Sequence, residues 1–322
     1  MADGILMVGL ILIFLAAEMS LRGAIGIARQ FDVPPLYTGI FIIAVLTVFP
    51  ELFLAFRATT MGHPDMAVGG IVGTNLINLT FIMGLGALIH PMASPPKVIF
   101  RDGGALLIGC AALILSALIG EVSRWIAVVL LLLFVAYMAL LLMTDWRRAP
   151  DHSVPLARAL FRSAGEMPTL AGSAFLFLLG LIALALGAHL SVLGGMHLAV
   201  ELGWSDATIG LVMIGAGLSA PKLLVTLVAA FRSQTTIAVG QLIAASAFNL
   251  LLVMGLVALM QPLAFPEALR RVDVFVLAAA SSFLLPLLAM RWRLSRPRGV
   301  LLMVVYGCYL VFVLGRQGLS LH

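Results

Sequence analysis

A glutamate and a lysine occupy matching places in two apolar stretches of the chain. Glu51 follows Pro50 in "TVFPEL", and Lys222 follows Pro221 in "LSAPKL". Proline removes a backbone donor and frees a carbonyl of the preceding turn, and such polar backbone is tolerated within a membrane only beside protein or a water-filled cavity. A lysine at the bilayer centre costs ~2.5–3.5 kcal/mol. We therefore interpret Glu51 and Lys222 as parts of a polar site that binds charge or exchanges protons.

An asparagine follows each ionisable residue after 27 positions. Asn78 closes the segment "GGIVGTNLIN" and Asn249 closes "GQLIAASAFN". Small residues in such segments let helix backbones approach closely and expose carbonyl groups, so Gly69 and Gly240 are predicted to be structurally important. The pattern predicts one site built from two equivalent halves, with four polar members: Glu51, Asn78, Lys222 and Asn249.

The apolar composition indicates what must position these residues. Of 322 residues, 62% are hydrophobic and 10% are charged, which is too few polar groups to cover a soluble surface. The chain is predicted to be an all-α polytopic membrane protein. Pro, Gly and charge clusters divide it into about ten spans of roughly twenty residues, with these extents: 4–28, 36–60, 66–90, 103–120, 124–144, 170–194, 207–231, 237–261, 272–290 and 299–316.

The basic residues predict the orientation of these spans. Ten spans place both termini on one side, and 13 of the 19 basic residues then fall on the other side. By the positive-inside rule that side is cytoplasmic, so both termini face out, in what we expect to be a prokaryotic cytoplasmic (inner) membrane. The hydrophilic segment 145–169 is predicted to be a cytoplasmic linker between a first five-helix repeat, 1–144, and a second, 170–322.

The net charge and the cysteines exclude other classes of protein. The excess of basic residues is what cytoplasmic loops require, so we expect a lipid bilayer and no nucleic acid as partner. Cys110 and Cys308 stand alone in apolar runs, which offers neither a disulfide framework nor metal-ligand spacing. No cofactor and no enzymatic activity are expected.

An internal repeat relates the two halves. Shifting the chain by 171 residues aligns 17–91 with 188–262 without a gap, and 20 of the 75 pairs are identical. Because five spans separate the copies and five is odd, the second copy crosses the membrane in the opposite direction. The sequence thus predicts a five-plus-five inverted-topology repeat, the architecture of many secondary transporters with a midplane site.

The two repeated segments resemble the alpha-repeats of the cation/calcium exchanger superfamily, which includes the sodium/calcium exchangers. In that family each repeat reads approximately G-T-S-x-P-E and then G-N-x-x-G-S-N. The segments that carry the resemblance are "TVFPELFLAFRATTMGHPDMAVGGIVGTNLINL" and "GLSAPKLLVTLVAAFRSQTTIAVGQLIAASAFNLL". The resemblance implies ten helices and an ion site with further candidate ligands: Thr47, Thr74, Asn75, Ser219 and Ser246.

The departures from the family pattern weaken the expectation of calcium exchange. Glu51 matches the ion-binding glutamate of the first repeat and Asn78 a first-repeat asparagine, whereas Lys222 stands where the second repeat should supply its glutamate. Leu218 and Ala245 lack the hydroxyls of their first-repeat counterparts. Calcium prefers six to eight oxygens, usually with two or more carboxylates, so Ca²⁺ beside an ionised Glu51–Lys222 pair would leave about two positive charges uncompensated.

Several functions remain open from the sequence. The leading hypothesis is a proton-linked antiporter of a monovalent cation such as Na⁺, in which Glu51 and Asn78 hold the cation and Lys222 supplies a built-in positive charge. The alternatives are a transporter of an anionic or organic solute with Lys222 as counter-charge, a regulatory or scaffold relative, and a purely structural salt bridge. Glu18, His189 and His197 lie in or near spans one and six and are weaker candidates for carrying protons.

Overall fold

Long helices make up most of the chain in a computed structural model, which describes residues 2–31, 46–146, 169–233 and 235–319. Over these residues we number ten helices: α1 Ala2–Gln30, α2 Phe49–Thr60, α3 Pro64–Ile89, α4 Val98–Ile119, α5 Arg124–Trp146, α6 Leu170–Leu202, α7 Asp206–Phe231, α8 235–260, α9 269–289 and α10 Arg296–Leu319.

The helices agree with the predicted membrane spans. Nine helices in the described part of the chain are long and apolar enough to cross a membrane. The predicted second span, 36–60, is represented by the shorter α2, because residues 32–45 lie outside the described ranges. The all-α polytopic fold with two five-helix repeats is confirmed.

Contacts between equivalent residues locate the axis that relates the two halves. Lys222 and Glu51 are 171 positions apart and in contact, and so are Cys110 and Ser281, whose Sγ and Oγ atoms lie 3.5 Å apart. Residues related by a two-fold axis can touch only near that axis. The axis relating the halves therefore passes close to both pairs.

Two short antiparallel ribbons repeat this symmetry at the membrane faces. The strands are β1 Met92–Ala93, β2 Glu121–Val122, β3 Leu263–Ala264 and β4 Arg293–Leu294. Strand β1 pairs with β4 and β2 pairs with β3, so each ribbon joins one half to the other. Following the helices in order, β1–β4 lies on the face where α5 ends and α6 begins, hereafter the linker face. Ribbon β2–β3 lies on the opposite face.

Helix α6 is longer than the predicted span 170–194. It continues to Leu202 and ends at Gly203, whose φ of 66° is left-handed. The glycine pair Gly194–Gly195 marks packing rather than a helix end, because a Cβ at Gly194 would lie 2.3 Å from the backbone nitrogen of Leu6 in α1. The predicted end of this span at Gly194 was wrong, because that glycine makes a packing contact inside the helix.

Helices α3 and α7 cross at unusually small separation. A Cβ at Gly73 would lie 2.0 Å from the carbonyl oxygen of Leu211, and one at Gly69 would lie 2.2 Å from that of Ala207. Only a residue without a side chain fits at such a backbone contact. Gly240, the repeat partner of Gly69, does not share this role, since its Cβ would meet only a Val98 methyl at 3.9 Å.

We expect Gly73→Ala to destabilise the protein while Gly240→Ala does not. Overpacking at a rigid contact costs ~1–3 kcal/mol, whereas alanine at an open helical site gains ~0.5–1 kcal/mol over glycine. Melting temperatures of both variants in one detergent measure the difference. Equal melting temperatures would contradict the close α3–α7 contact.

Candidate functional site

A buried ion pair joins α2 to α7. The Lys222 ammonium donates a hydrogen bond to Oε1 of Glu51, and the two side chains are only 4% and 0% exposed. Pro50 occupies the first turn of α2 just before Glu51, while Pro221 lies within α7 just before Lys222. Pairing lowers the cost of burying both charges, because an isolated buried charge is far more expensive than a hydrogen-bonded pair.

Two asparagines meet where α3 and α8 face each other. Nδ2 of Asn249 donates to Oδ1 of Asn75 at 3.5 Å. Both helices widen into π-helical turns here, over Ile77–Ile82 and Asn249–Val253. A π turn changes the direction of the side chains in it, and such turns are frequent at functional sites.

Buried oxygens without partners surround these two contacts. Within the described residues, no hydrogen-bond partner reaches the second carboxylate oxygen of Glu51, Oε2. On α3, α7 and α8 the same holds for Thr74 Oγ1, Asn78 Oδ1 and Nδ2, Ser219 Oγ, Ser246 Oγ and Asn249 Oδ1, while fewer such atoms lie elsewhere, on Ser20, Ser94, Ser191 and Arg316. Buried polar groups are ordinarily hydrogen-bonded, so this concentration of unsatisfied oxygens fits a site for a cation or for water.

Apart from Thr47, the predicted site residues lie on four helices that pack against one another, α2, α3, α7 and α8. Thr74 is next to Asn75 in the chain. About one helical turn, three residues, separates Asn78 from Asn75, Ser219 from Lys222, and Ser246 from Asn249. Thr47 is only half-buried and lies in the turn before α2. The structure therefore places Thr47 at the edge of the group.

The weaker proton-carrying candidates lie away from this group. Glu18 is exposed and pairs with Arg22 on the same helix at 2.7 Å, and His197 is exposed on α6. His189 is half-buried and accepts hydrogen bonds at Nδ1 from Nε and Nη2 of Arg57, 3.1 Å each. That contact requires Nδ1 without a proton, so His189 serves as an acceptor between α6 and α2.

Two polar residues on α7 and α8 were not predicted to matter. Thr226 lies one turn beyond Lys222 on α7, and its buried hydroxyl has no partner among the described residues. The buried Oε1 of Gln241 on α8 is likewise without one. Comparison of the two repeats could have identified both residues, because their first-half counterparts, Ala55 and Gly70, are non-polar. A polar residue with a non-polar counterpart shows where the halves have diverged.

Symmetric carboxylate–tyrosine contacts were also missed. Asp102 accepts a hydrogen bond from Tyr137 at 2.8 Å, and Asp273 accepts one from Tyr309 at 2.7 Å. Each aspartate ends a π-helical turn at the start of α4 or α9. Because they recur in both halves and each is paired with an arginine, these contacts fasten neighbouring helices together.

An inverted pair of five-helix bundles with an oxygen-rich buried site defines a membrane exchanger rather than an enzyme, and the comparisons with known proteins agree. Residues 2–143 and 172–315 match the family described as sodium/calcium exchanger protein. The chain belongs to this family and is a cation exchanger-type transporter.

Similar proteins extend over nearly the whole chain. The putative antiporter CaxA of Alkalimonas amylolytica is 31% identical, covering 95% of this chain and 93% of CaxA. The sodium/calcium exchanger MaX1 of Methanosarcina acetivorans is 27% identical, covering 95% and 97%. A solved structure of the sodium-calcium exchanger NCX_Mj has a TM-score of 0.62 at 25% identity, covering 96% of this chain and 97% of that one.

Breaking the Glu51–Lys222 pair on one side is expected to destabilise the protein by ~3–5 kcal/mol, because the remaining charge stays buried and unpaired. Glu51→Gln and Lys222→Met should each show this loss. The double variant should recover most of it, since a neutral pair leaves no charge to compensate. Thermal unfolding in detergent measures all three variants.

The matched control is the exposed pair of Glu18 and Arg22, where Glu18→Gln should cost no more than ~1 kcal/mol. A double variant as unstable as the worse single one would show that the two charges do not compensate each other.

Proposed function

We propose that the protein is a proton-linked antiporter of a monovalent cation such as Na⁺, with Glu51 and Lys222 as the exchanging pair. The supporting observation is that the two oxygens of the Glu51 carboxylate have different surroundings. One oxygen accepts from Lys222, and the other lies buried without a partner in the described structure.

The exchange rests on charge balance in the buried site. With Lys222 protonated, the ammonium neutralises Glu51 and the site needs no bound cation. When Lys222 releases its proton to the water on one side, the carboxylate is left with one negative charge. A single monovalent cation restores neutrality, so one cation enters as one proton leaves.

The oxygens that would hold the cation come from both halves. Glu51 supplies the charge, and Thr74, Asn78 and Asn249 supply neutral oxygens that lack protein partners in the described structure. Asn75, Ser219 and Ser246 are further ligands, and Thr47 contributes from the edge. The cation is the transported substrate, and the protein retains none after transport.

Calcium fits this site poorly on electrostatic grounds. Even with Lys222 neutral, Ca²⁺ at one carboxylate leaves about one uncompensated positive charge in a low-dielectric site. The second repeat places Ala245 where the first has Thr74, which removes a possible oxygen ligand. Names of relatives that include calcium therefore do not decide the substrate of this chain.

We further propose that both termini face out from a cytoplasmic (inner) membrane. The support is the distribution of basic residues, most of which fall on the linker face. Protease access to tags at the two termini in intact cells tests this orientation.

Proton flux in liposomes tests the proposed exchange. We expect an imposed Na⁺ gradient to drive proton movement through the natural chain, detected by an internal pH dye. The double variant Lys222→Met with Glu51→Gln, which keeps the site neutral, should abolish it, because it has neither an amine to release the proton nor a carboxylate to bind the cation. Arg271→Gln, in an exposed pair with Glu267, is the control and should exchange normally.

Flux that follows an anion or organic-solute gradient, and not a cation gradient, would favour the alternative transporter with Lys222 as counter-charge. No gradient-driven flux of any kind in a correctly folded preparation would favour a regulatory or scaffold relative.

Replacing Lys222 with a carboxylate should move the site toward calcium. We expect Lys222→Glu to gain Ca²⁺ binding and Lys222→Glu with Ala245→Thr to gain more, because the second change adds the hydroxyl that Thr74 supplies in the first repeat. Isothermal titration with Ca²⁺ measures both. The control is the exchanged pair Glu51→Lys with Lys222→Glu, which keeps one charge of each sign and should bind no more Ca²⁺ than the natural chain.

A further inference from the structure

The turn that joins α9 to β4 has an unfavourable backbone conformation. Arg291 has φ 62° and ψ 16°, and Trp292 has φ 52°. Left-handed backbone is strained for residues with a side chain, and consecutive residues of this kind persist only where the surroundings impose them. This turn, residues 290–292, lies on the linker face.

The first half makes the equivalent turn without this strain. There "VSR" at 122–124 corresponds to "LSR" at 294–296, so Gly120 corresponds to Trp292 and Glu121 to Arg293. Gly120 has φ 99°, which glycine adopts at no steric cost. The second-half turn is longer, because three residues, 290–292, join its helix to its strand where Gly120 alone does so in the first half, and it places an arginine and a tryptophan in left-handed backbone.

Hydrogen bonds hold the strained turn in place. Nη1 of Arg298 donates to the carbonyl oxygens of Leu287, Met290 and Arg293, at 3.1, 3.1 and 3.2 Å. The backbone nitrogen of Ser94, just after β1, donates to the carbonyl of Trp292 at 2.9 Å. The turn is therefore held by α10, which carries Arg298, and by Ser94 of the other half of the protein.

The fixed turn displays two arginines and an aromatic pair. Arg291 and Arg293 are exposed, and neither has an ion-pair partner within the described residues. Trp292 is 41% exposed, and its ring meets the edge of Phe100, 73% exposed, at a centroid distance of 6.1 Å. Aromatic rings sit at the membrane–water interface, and basic residues just beyond helix ends attract anionic lipid.

We propose that this basic aromatic turn, Arg291–Trp292–Arg293 with Phe100, binds the headgroup of an anionic phospholipid in the leaflet at the linker face. The rings lie among the upper acyl chains, and the two guanidinium groups contact the phosphate, which they can bind with paired N–H donors. This inference does not depend on the proposed transport reaction.

Charge favours lipid over the protein's own linker as the partner. Segment 145–169 holds four arginines against three acidic residues, so it carries no excess of negative charge for Arg291 and Arg293. The opposite ribbon supplies a contrast, because Glu121 replaces Arg293 there and would repel an anionic headgroup.

Quenching of Trp292 by brominated lipids tests the proposal. The full chain with Trp125→Phe, Trp146→Phe and Trp204→Phe is reconstituted in nanodiscs of phosphatidylcholine containing brominated phosphatidylglycerol or brominated phosphatidylcholine. We expect stronger quenching by the anionic lipid. Each neutralised arginine should lower the preference about fivefold, so Arg291→Gln with Arg293→Gln should lower it roughly 25-fold.

The control variant carries Arg124→Gln and Arg270→Gln, two exposed arginines near ribbon β2–β3, and should keep the natural preference. Inorganic phosphate at equal ionic strength should not displace the lipid, because free phosphate has no acyl chains for the rings to contact. Equal quenching by both lipids in the unsubstituted turn, or an equal loss of preference in the control, would overturn the proposal.

Arg291→Gly separates lipid binding from folding. Glycine relieves the strain at φ 62°, so this variant should melt at the same or a higher temperature in lipid-free detergent, while its preference for phosphatidylglycerol falls. A variant that is more stable and keeps its full preference would show that Arg291 does not contact lipid.

Discussion

Two opposite charges buried in the middle of a membrane protein must neutralise each other. Glu51 and Lys222 satisfy this requirement by contact, with almost no exposure of either side chain. The inverted repeat makes the contact possible, because equivalent residues meet only at the axis between the halves. Two glutamates at the same positions would repel each other unless cations lay between them. A lysine in one of the two places lets the site exist without a bound ion.

The helices around the pair depart from regular geometry, and these departures place polar groups at the site. Proline precedes each charged residue, and the π turns of α3 and α8 alter the direction of side chains beside Asn75, Asn78 and Asn249. The close contact of α3 with α7 at Gly73 depends on the absence of a side chain. Proline, π turns and glycine thus combine to bring four helices together with oxygens facing inward from each half.

Much of this arrangement could be predicted from the sequence because it follows from spacing. The 171-residue offset predicts that Glu51 and Lys222 meet, and apolar length predicts nearly all the spans. The extension of α6 through Gly194–Gly195 could not be predicted, since glycine in a membrane helix marks either an end or a packing contact. The meeting of Asn249 with Asn75, rather than with its repeat partner Asn78, depends on π turns whose register no local pattern encodes.

Differences between the halves carry more information about function than their agreement. Positions that both halves share, such as the prolines and the aspartate–tyrosine contacts, are those that an inverted fold needs twice. Positions that differ in charge or polarity are free of that need: Lys222 opposite Glu51, Ala245 opposite Thr74, and Arg293 opposite Glu121. The first two lie where the cation is proposed to bind, and the third lies at a membrane face. In a duplicated fold, comparison of equivalent positions therefore separates residues that the fold requires in both halves from residues that only one half uses.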